Sequence, residues 1–542
     1  DWKNVNEVKV CTKCGFDKCR MEAGRFLIKK SWRTARNESE GRNMDRWAGR
    51  LPKMEYPDYA AEIEQIRLTG ITTDLLDRII ERHQGCQRHM MDLYGRYRTE
   101  ADKVPIFTRE PRFSGDDDHE AESAINNRVN NDFLGEIVDG KVGYFAGKPA
   151  NYNYGTDYQA EEETGGEEAV EKASKALSDF VKRNNMFDVS MEVTKFAAIC
   201  GYSGRLFYID PEGNERAMVI PPYECIILSD TEMTEPEYAV RYYPFLNLND
   251  EMIFKAEFYD KNKIYFFEGQ PGAFVCVDEK PHLFDYCPLQ GVPNNRELIG
   301  DAEKVLALID DYDSNYSDNS NDIEGFANAY MVFKNCRVDN NILKTANATG
   351  VIGIDVDDPD SPYDVTYLTK NINGDFVNSH LDRAQDNIYR LSRNPNLNDP
   401  EFAASSGLAL RIKMIGLETK TGTFEAKMLS ADTYMFKVLS SSFRKKGTAF
   451  DPLQCSVKYN RNFPVDFQGE AQAVQALIAA GLPKKIAFGA LSFIDDVDAV
   501  MRLIESEQDD IPDLDDDNDD DNQSKKLDDQ NKDPVEGKES DG

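Results

Sequence analysis

Apolar positions between residues 294 and 443 recur at helical spacing in three separate runs, and the rest of the chain is arranged around them. In the first run, residues 294–326, Leu298, Ala302, Val305, Ile309, Tyr312 and Tyr316 return at three- and four-residue steps and share one stripe. Acids fill the remaining faces: Glu297, Asp301, Glu303, Asp310, Asp311, Asp313, Asp318, Asp322 and Glu324, against Arg296 and Lys304. Such a helix would be roughly 50 Å long. The second run, residues 375–391, puts Phe376, Leu381, Ala384, Ile388 and Leu391 on one face. The third covers residues 408–443, with a break expected near Gly422.

Two interruptions separate these helices. Residues 329–371 alternate strand-like runs (330–333, 351–355 and 364–368) with Asn, Asp and Pro turns, which predicts a small β insert. Residues 394–407 hold turn residues inside an otherwise helical region, and an ordered loop of that length is usually functional.

Upstream, residues 57–99 read as amphipathic helix and residues 114–120 as an acidic loop. Residues 126–145 read as helix, 151–168 as a polar linker, and 169–184 and 189–201 as helices. Strands are predicted at 205–209, 218–220, 224–228, 239–243, 253–259, 264–268 and 273–277. Together these make an α+β domain over residues 57–288. Downstream, 456–459 and 463–466 read as extended, and 470–480, 484–491 and 497–507 as short helices.

At 542 residues the chain exceeds one usual core, so at least two domains are expected. The formal net charge of −34 argues against wrapping nucleic acid by phosphate neutralisation, although it does not exclude a channel that DNA passes through. The charge is unevenly spread. Residues 1–53 carry 14 Lys and Arg against 7 Asp and Glu, and read either as a genuine basic arm or as upstream sequence carried into the gene. Residues 509–542 carry 15 acids and 4 Lys in low-complexity sequence, which predicts a disordered tail. The ten Cys form no disulfide-like framework and read as reduced, mostly buried thiols. No apolar run is long enough for a membrane span and no signal-peptide pattern is seen, so neither a membrane span nor secretion is expected.

Candidate chemistry is sparse. Cys11, Cys14 and Cys19 have zinc-like spacing but lack a fourth local ligand, the nearest His being His83. Gly143, Gly147, Lys148 and Pro149 fail as a phosphate loop, with too few residues between the glycines and Pro where a hydroxyl is needed. Asp355, Asp357, Asp358 and Asp360 suggest calcium, but Asp360 and Thr366 stand where Gly and Glu are required, so a solvated acidic turn fits better. Five dispersed His and evenly spread carboxylates mark no catalytic pair. A metal-dependent carboxylate-site hydrolase or nuclease acting on nucleic acid remains the alternative, since such sites need not be local in sequence. No cofactor or metal is expected.

Three stretches carry a family resemblance: NNRVNNDFLGEIVDGKVGYFAGKP at 126–149, LIDDYD at 308–313 continuing to Tyr330, and SGLALRIKMIGL at 406–417. With LPKKI at 482–486 they span residues 56–507, and the chain resembles the portal proteins of tailed phages, in the branch found in siphophages of Gram-positive hosts. The resemblance implies an α+β portal fold with wing, helical stem, β-rich clip, tunnel loop and helical crown, assembled as a ring. Its parts would be a doubtful basic extension (1–53), part of the wing (54–288), stem helices (294–327 and 373–393) and the clip between them (328–372). The tunnel loop (394–407), a long wing helix (408–446), a strand and crown (447–508) and the acidic tail (509–542) would follow.

The implied role is a ring of roughly twelve copies at one capsid vertex, through which double-stranded DNA enters and leaves. Its partners would be the terminase large subunit, a head-completion adaptor, and the major capsid and scaffolding proteins, after synthesis in the host cytoplasm. Channel candidates are Asn394, Asn396, Asn398, Asp399, Glu401, Ser405 and Ser406 in the loop, flanked by Arg390, Arg393 and Lys413. These three cations would contact phosphate or, equally, form salt bridges to acidic helices of a neighbouring subunit. Asp355, Asp357, Asp358, Asp360 and Tyr363 would meet partners at the clip.

Overall fold

A computed structural model describes residues 2–5, 8–11, 56–110, 125–155, 167–229, 233–327, 330–334, 364–368, 374–397, 407–462 and 467–489, with single positions between 491 and 504. The chain divides into two compact units, Asp1–Phe463 and Pro464–Gly542. Strands β1 (Trp2–Val5) and β2 (Val8–Cys11) pair as an antiparallel hairpin.

The helical stretch expected at 57–99 is two helices, α1 (Ala60–Thr69) and α2 (Thr73–Tyr97). Gly70 takes φ 74° at the break, and Leu75 N–H donates to Thr72 Oγ1 at 3.3 Å to cap α2. Helix α3 spans Phe133–Ala146, later than the 126 expected: residues 125–131 form no helix, and Asp132, at φ 45°, caps it. The next strand, β3 (Asn151–Tyr154), lies where a linker was expected. Then come α4 (Glu167–Arg183), α5 (Met186–Cys200), β4 (Tyr202–Ile209), β5 (Glu215–Ile220) and β6 (Cys225–Leu228). Strands β7 (Tyr238–Leu246), β8 (Met252–Tyr259), β9 (Lys263–Gln270) and β10 (Ala273–Pro281) follow the predicted runs and extend them.

These strands form a five-stranded antiparallel sheet in the order β10-β9-β8-β7-β6. Ile63, Ile66, Leu76, Ile79 and Ile80 of α1 and α2 bury one face of it against Val240, Phe258 and Phe267. An unpredicted strand, β11 (Leu289–Pro293), joins a second sheet of order β11-β4-β5. Gly291 and Pro293 weaken its strand signal, yet all five residues are buried.

Helix α6 (Leu306–Ala327) starts well after the 294 expected, so its 22 residues span about 33 Å. The cause is local. Ile299 N–H donates to Asn295 Oδ1 at 3.0 Å, Asn294 and Asn295 side chains both donate to the Ile299 carbonyl, and Leu298 sits at φ 53°. Asn side chains here give the backbone a turn that competes with helix. Strands β12 (Tyr330–Lys334) and β13 (Asp364–Leu368) pair antiparallel in the expected insert; the strand expected at 351–355 lies outside the described residues.

Helix α7 (Gly374–Ser392) matches its prediction within a residue at each end. Helices α8 (Gly407–Lys413) and α9 (Ile415–Lys445) meet at Met414, and no break occurs at Gly422. Hydrogen bonding runs on through the junction, from Met414 N–H to Leu410 and from Glu418 N–H to Met414. Strand β14 (Cys455–Lys458) closes the first unit by pairing with β3. In the second unit α10 (Phe467–Ala479) and α11 (Lys484–Phe488) pack through Val474 and Ala487.

Helix α9 is the spine of the first unit. Phe424, Met428, Met435, Val438 and Leu439 are buried among Phe145, Leu177, Phe180 and Val193 of α3, α4 and α5. Arg205 of β4 pairs with Asp432 of α9 at 2.9 Å, and Tyr459 Oη donates to the same carboxylate at 2.6 Å.

Candidate functional site

Helix α7 ends in a six-to-one hydrogen bond, Asn394 N–H to the Tyr389 carbonyl at 3.1 Å, with Arg393 at φ 60°. Glycine is the usual residue at this left-handed position, because any Cβ there is strained. The turn is packed tightly. A Cβ on Gly416 would lie 3.2 Å from the Arg393 carbonyl, and one on Gly140 would lie 3.2 Å from Asn394 Nδ2. A side chain at either position would force the root of the 394–407 loop to shift by a few tenths of an ångström.

Beneath this turn lies a buried polar node. Lys141 of α3 is 1% exposed, and its ammonium pairs with Asp301 at 3.2 Å while donating to Asn294 Oδ1. Lys420 of α9 pairs with the other Asp301 oxygen at 3.0 Å, donates to the Ser392 carbonyl at 3.2 Å and donates to Asn394 Oδ1. Asn394 in turn donates to the Ile137 carbonyl at 3.1 Å. Four segments therefore meet at one carboxylate: α3, the turn preceding α6, the end of α7 and the start of α9. Burial alone would push the Asp301 carboxyl up, but Lys141 and Lys420 outweigh it and bring it to about 2. Burial lowers the Lys141 ammonium, and Lys420 adds to that repulsion, against the pull of Asp301.

The second construction is a strap. Residues 127–131 run along α6 and bond to its polar stripe. Asn127 N–H donates to Asn321 at 2.6 Å, Val129 N–H to Ser317 at 3.0 Å and Asn131 N–H to Asp313 at 3.1 Å. Alternate residues of the strap thus meet positions one helical turn apart. Arg109 pairs with Asp318 at 3.0 Å, and Arg96 pairs with Asp310. Much of the acidity of α6 is therefore satisfied within the chain, where the sequence suggested an exposed acidic face. His380 reaches Asp311 at 3.3 Å between α7 and α6.

The channel candidates fall in different environments. Arg390 is exposed and donates to Asn387 at 2.9 Å; Arg393 is exposed at its strained turn. Asn394 is buried, its amide spent on Ile137 and Lys420, and the Lys413 ammonium nitrogen is also buried, so neither presents a free group to a channel in this chain. Asn396 is half-buried. Asn398, Asp399, Glu401, Ser405 and Ser406 lie outside the described residues, as do Asp355, Asp357, Asp358, Asp360 and Tyr363 of the insert. Lys141, Asp301 and Lys420 were not singled out from sequence. A lone Lys141 among Val138, Val142 and Phe145 on the apolar face of α3 was the available signal.

Among the described residues no group of three or more His, Cys, Asp or Glu is placed to hold a metal ion, and no helix is long and apolar enough to cross a membrane. Nothing in this geometry favours hydrolase chemistry.

The profile of the family described as phage portal protein, SPP1 Gp6-like, matches residues 76–513. That covers most of the chain, including the strap and the node, and the chain belongs to this family: it is a phage portal protein. A relative of known identity is the portal protein of Bacillus phage SPP1, 24% identical over 414 residues, which cover 71% of this chain and 77% of the relative.

Proposed function

We propose that this portal protein assembles as a closed ring of roughly twelve copies at one capsid vertex and conducts double-stranded DNA inward during packaging and outward during ejection. The observation that carries this reading is apolar surface on α6 and on the helices around the 394–407 loop that a single chain leaves bare. Ile323 of α6, Ile412 of α8 and Ile415 of α9 are 63%, 62% and 66% exposed, with Leu391 and Leu397 also outward. A ring buries such side chains against the neighbouring copy, at about 25 cal/mol for each Å² removed from water.

In this reading the body built on α1–α5 and the two sheets is the wing, α6 and α7 are the stem, and the paired β12 and β13 are the base of the clip. Residues 394–407 form the tunnel loop, and α10 and α11 belong to the crown. Asn396, Asn398, Asp399, Glu401, Ser405 and Ser406 line the narrowest point and touch DNA through polar groups. Arg390 supplies a weak ring of phosphate contacts. The acids of the insert, with Tyr363, receive the terminase large subunit, which brings the ATPase, and later the head-completion adaptor. Major capsid and scaffolding proteins surround the ring, which is made in the host cytoplasm and ends in the virion.

The test of the DNA role is Arg390→Ala in assembled rings, read by DNA packaged per capsid. Intact rings with reduced packaging or retention are expected. Intact rings that package normally remove Arg390 from the channel.

A further inference from the structure

The node at the loop root is unbalanced. Lys141 and Lys420 share the single carboxylate of Asp301, while Asn294 and Asn394 contribute dipoles and no charge. A buried ammonium without its own counter-ion is costly, so a site of this kind gains from an added anion. Beside the node lies a recess of about 210 Å³, walled by Lys141, Lys420, Lys304 and Arg393 against Glu297 and Asp301. Lys304 and Arg393 are exposed at its lip and have no ion-pair partner among the described residues. Four cations around one recess stand out in a chain of net charge −34. Arg393 moreover occupies a backbone position that favours glycine, so a cation is kept there against local strain.

We propose that this recess receives the carboxylate of an Asp or Glu side chain from a second copy of the chain, which completes the charge balance across the subunit boundary. The proposal rests on the ring reading above. Charge complementarity supports the occupant: α7 exposes Asp382 and Asp386, and α6 half-exposes Asp311. Shape supports it too. Lys141 is almost wholly enclosed, so the anion must arrive on a slender side chain, whereas a duplex phosphate carries its sugars with it. Because Lys420 also holds Asn394 and the Ser392 carbonyl, an incoming carboxylate acts on the root of the loop, and subunit contact and loop position become linked.

The test is the double charge reversal Lys304→Glu with Arg393→Glu, which alters only exposed lip side chains. Assembly is followed by light scattering over a concentration series at low and high salt, with the melting temperature of unassembled chain as a control for folding. The expected result is an unchanged melting temperature and a midpoint for ring formation raised about tenfold at low salt, the difference shrinking at 1 M salt. Rings that form at the wild-type concentration overturn the proposal. Rings that form normally but hold DNA less well also overturn it, and would assign the recess to phosphate. A wild-type chain that never assembles removes the ring reading and this inference with it, whereas a failure confined to the variant comparison leaves the ring reading standing.

Discussion

The first unit holds two buried ionic nodes built on the same helix, and they differ in one respect. At Arg205–Asp432 one cation meets one anion, both at most 1% exposed; Tyr459 donates to the other carboxylate oxygen, while Arg205 Nε and Nη2 are buried without a hydrogen-bond partner. Burial pushes the Asp432 carboxyl up, more than Arg205 and Tyr459 pull it down, and the pair joins β4 to α9. At Lys141–Asp301–Lys420 two cations meet one anion, the second at 12% exposure and open to a recess. The balanced node seals a core. The unbalanced one sits at the root of the 394–407 loop, where the proposed second copy would arrive. If a second copy supplies the missing anion, charge balance rather than burial is what separates the two nodes.

Arg205→Met should strand the Asp432 carboxylate and cost about 3–5 kcal/mol. The double variant with Asp432→Leu should recover most of it; equal losses in both would mean that packing, not the charge, is what matters. Denaturant unfolding of unassembled chain reads both. Asp301→Asn should cost less, about 2–3 kcal/mol, because Lys420 can turn outward and find water. The contribution of Asp301 should be present above pH ~4, the value of an unfolded Asp, and lost as pH falls toward about 2.

His83 extends the comparison to a buried group with no counter-charge. It contacts Tyr242 Oη at 3.0 Å, and burial lowers its imidazole to about 3. The unfolded chain takes up this proton near pH 6.5 and the folded chain does not, so stability should fall from pH 6.5 down to about 3. The loss by pH 4.5 should be about 3 kcal/mol, two pH units at about 1.36 kcal/mol each. His83→Phe should flatten that part of the profile, as read by melting temperature at pH 7 and 4.5. An unchanged slope would place the titration elsewhere.

Much of this arrangement was legible in the chain. The stripe of Leu381, Ala384 and Ile388 delimited α7, because those side chains bury against one neighbour at helical spacing. The strands of the five-stranded sheet declared themselves by β-branched and aromatic runs. What stayed hidden depended on polar groups that find partners far away in sequence. The apolar stripe ran through Leu298 and Ala302 as though helical, while Asn294 and Asn295 turned that backbone out of helix with their own side chains. The strap pairs residues 127–131 with residues 313–321, and its only trace was a polar i, i+4 series at Asp313, Ser317 and Asn321. Asp301 and Lys420 meet only in the folded chain, so no local spacing could reveal the node.

The most direct test of this account is the mass of the purified protein by light scattering, with electron images of the same fraction. Particles of roughly a dozen copies around a central hole are expected. A stable monomer or dimer at every salt concentration would contradict it, leaving Ile323, Ile412 and Ile415 bare and the second ammonium of the node without an anion.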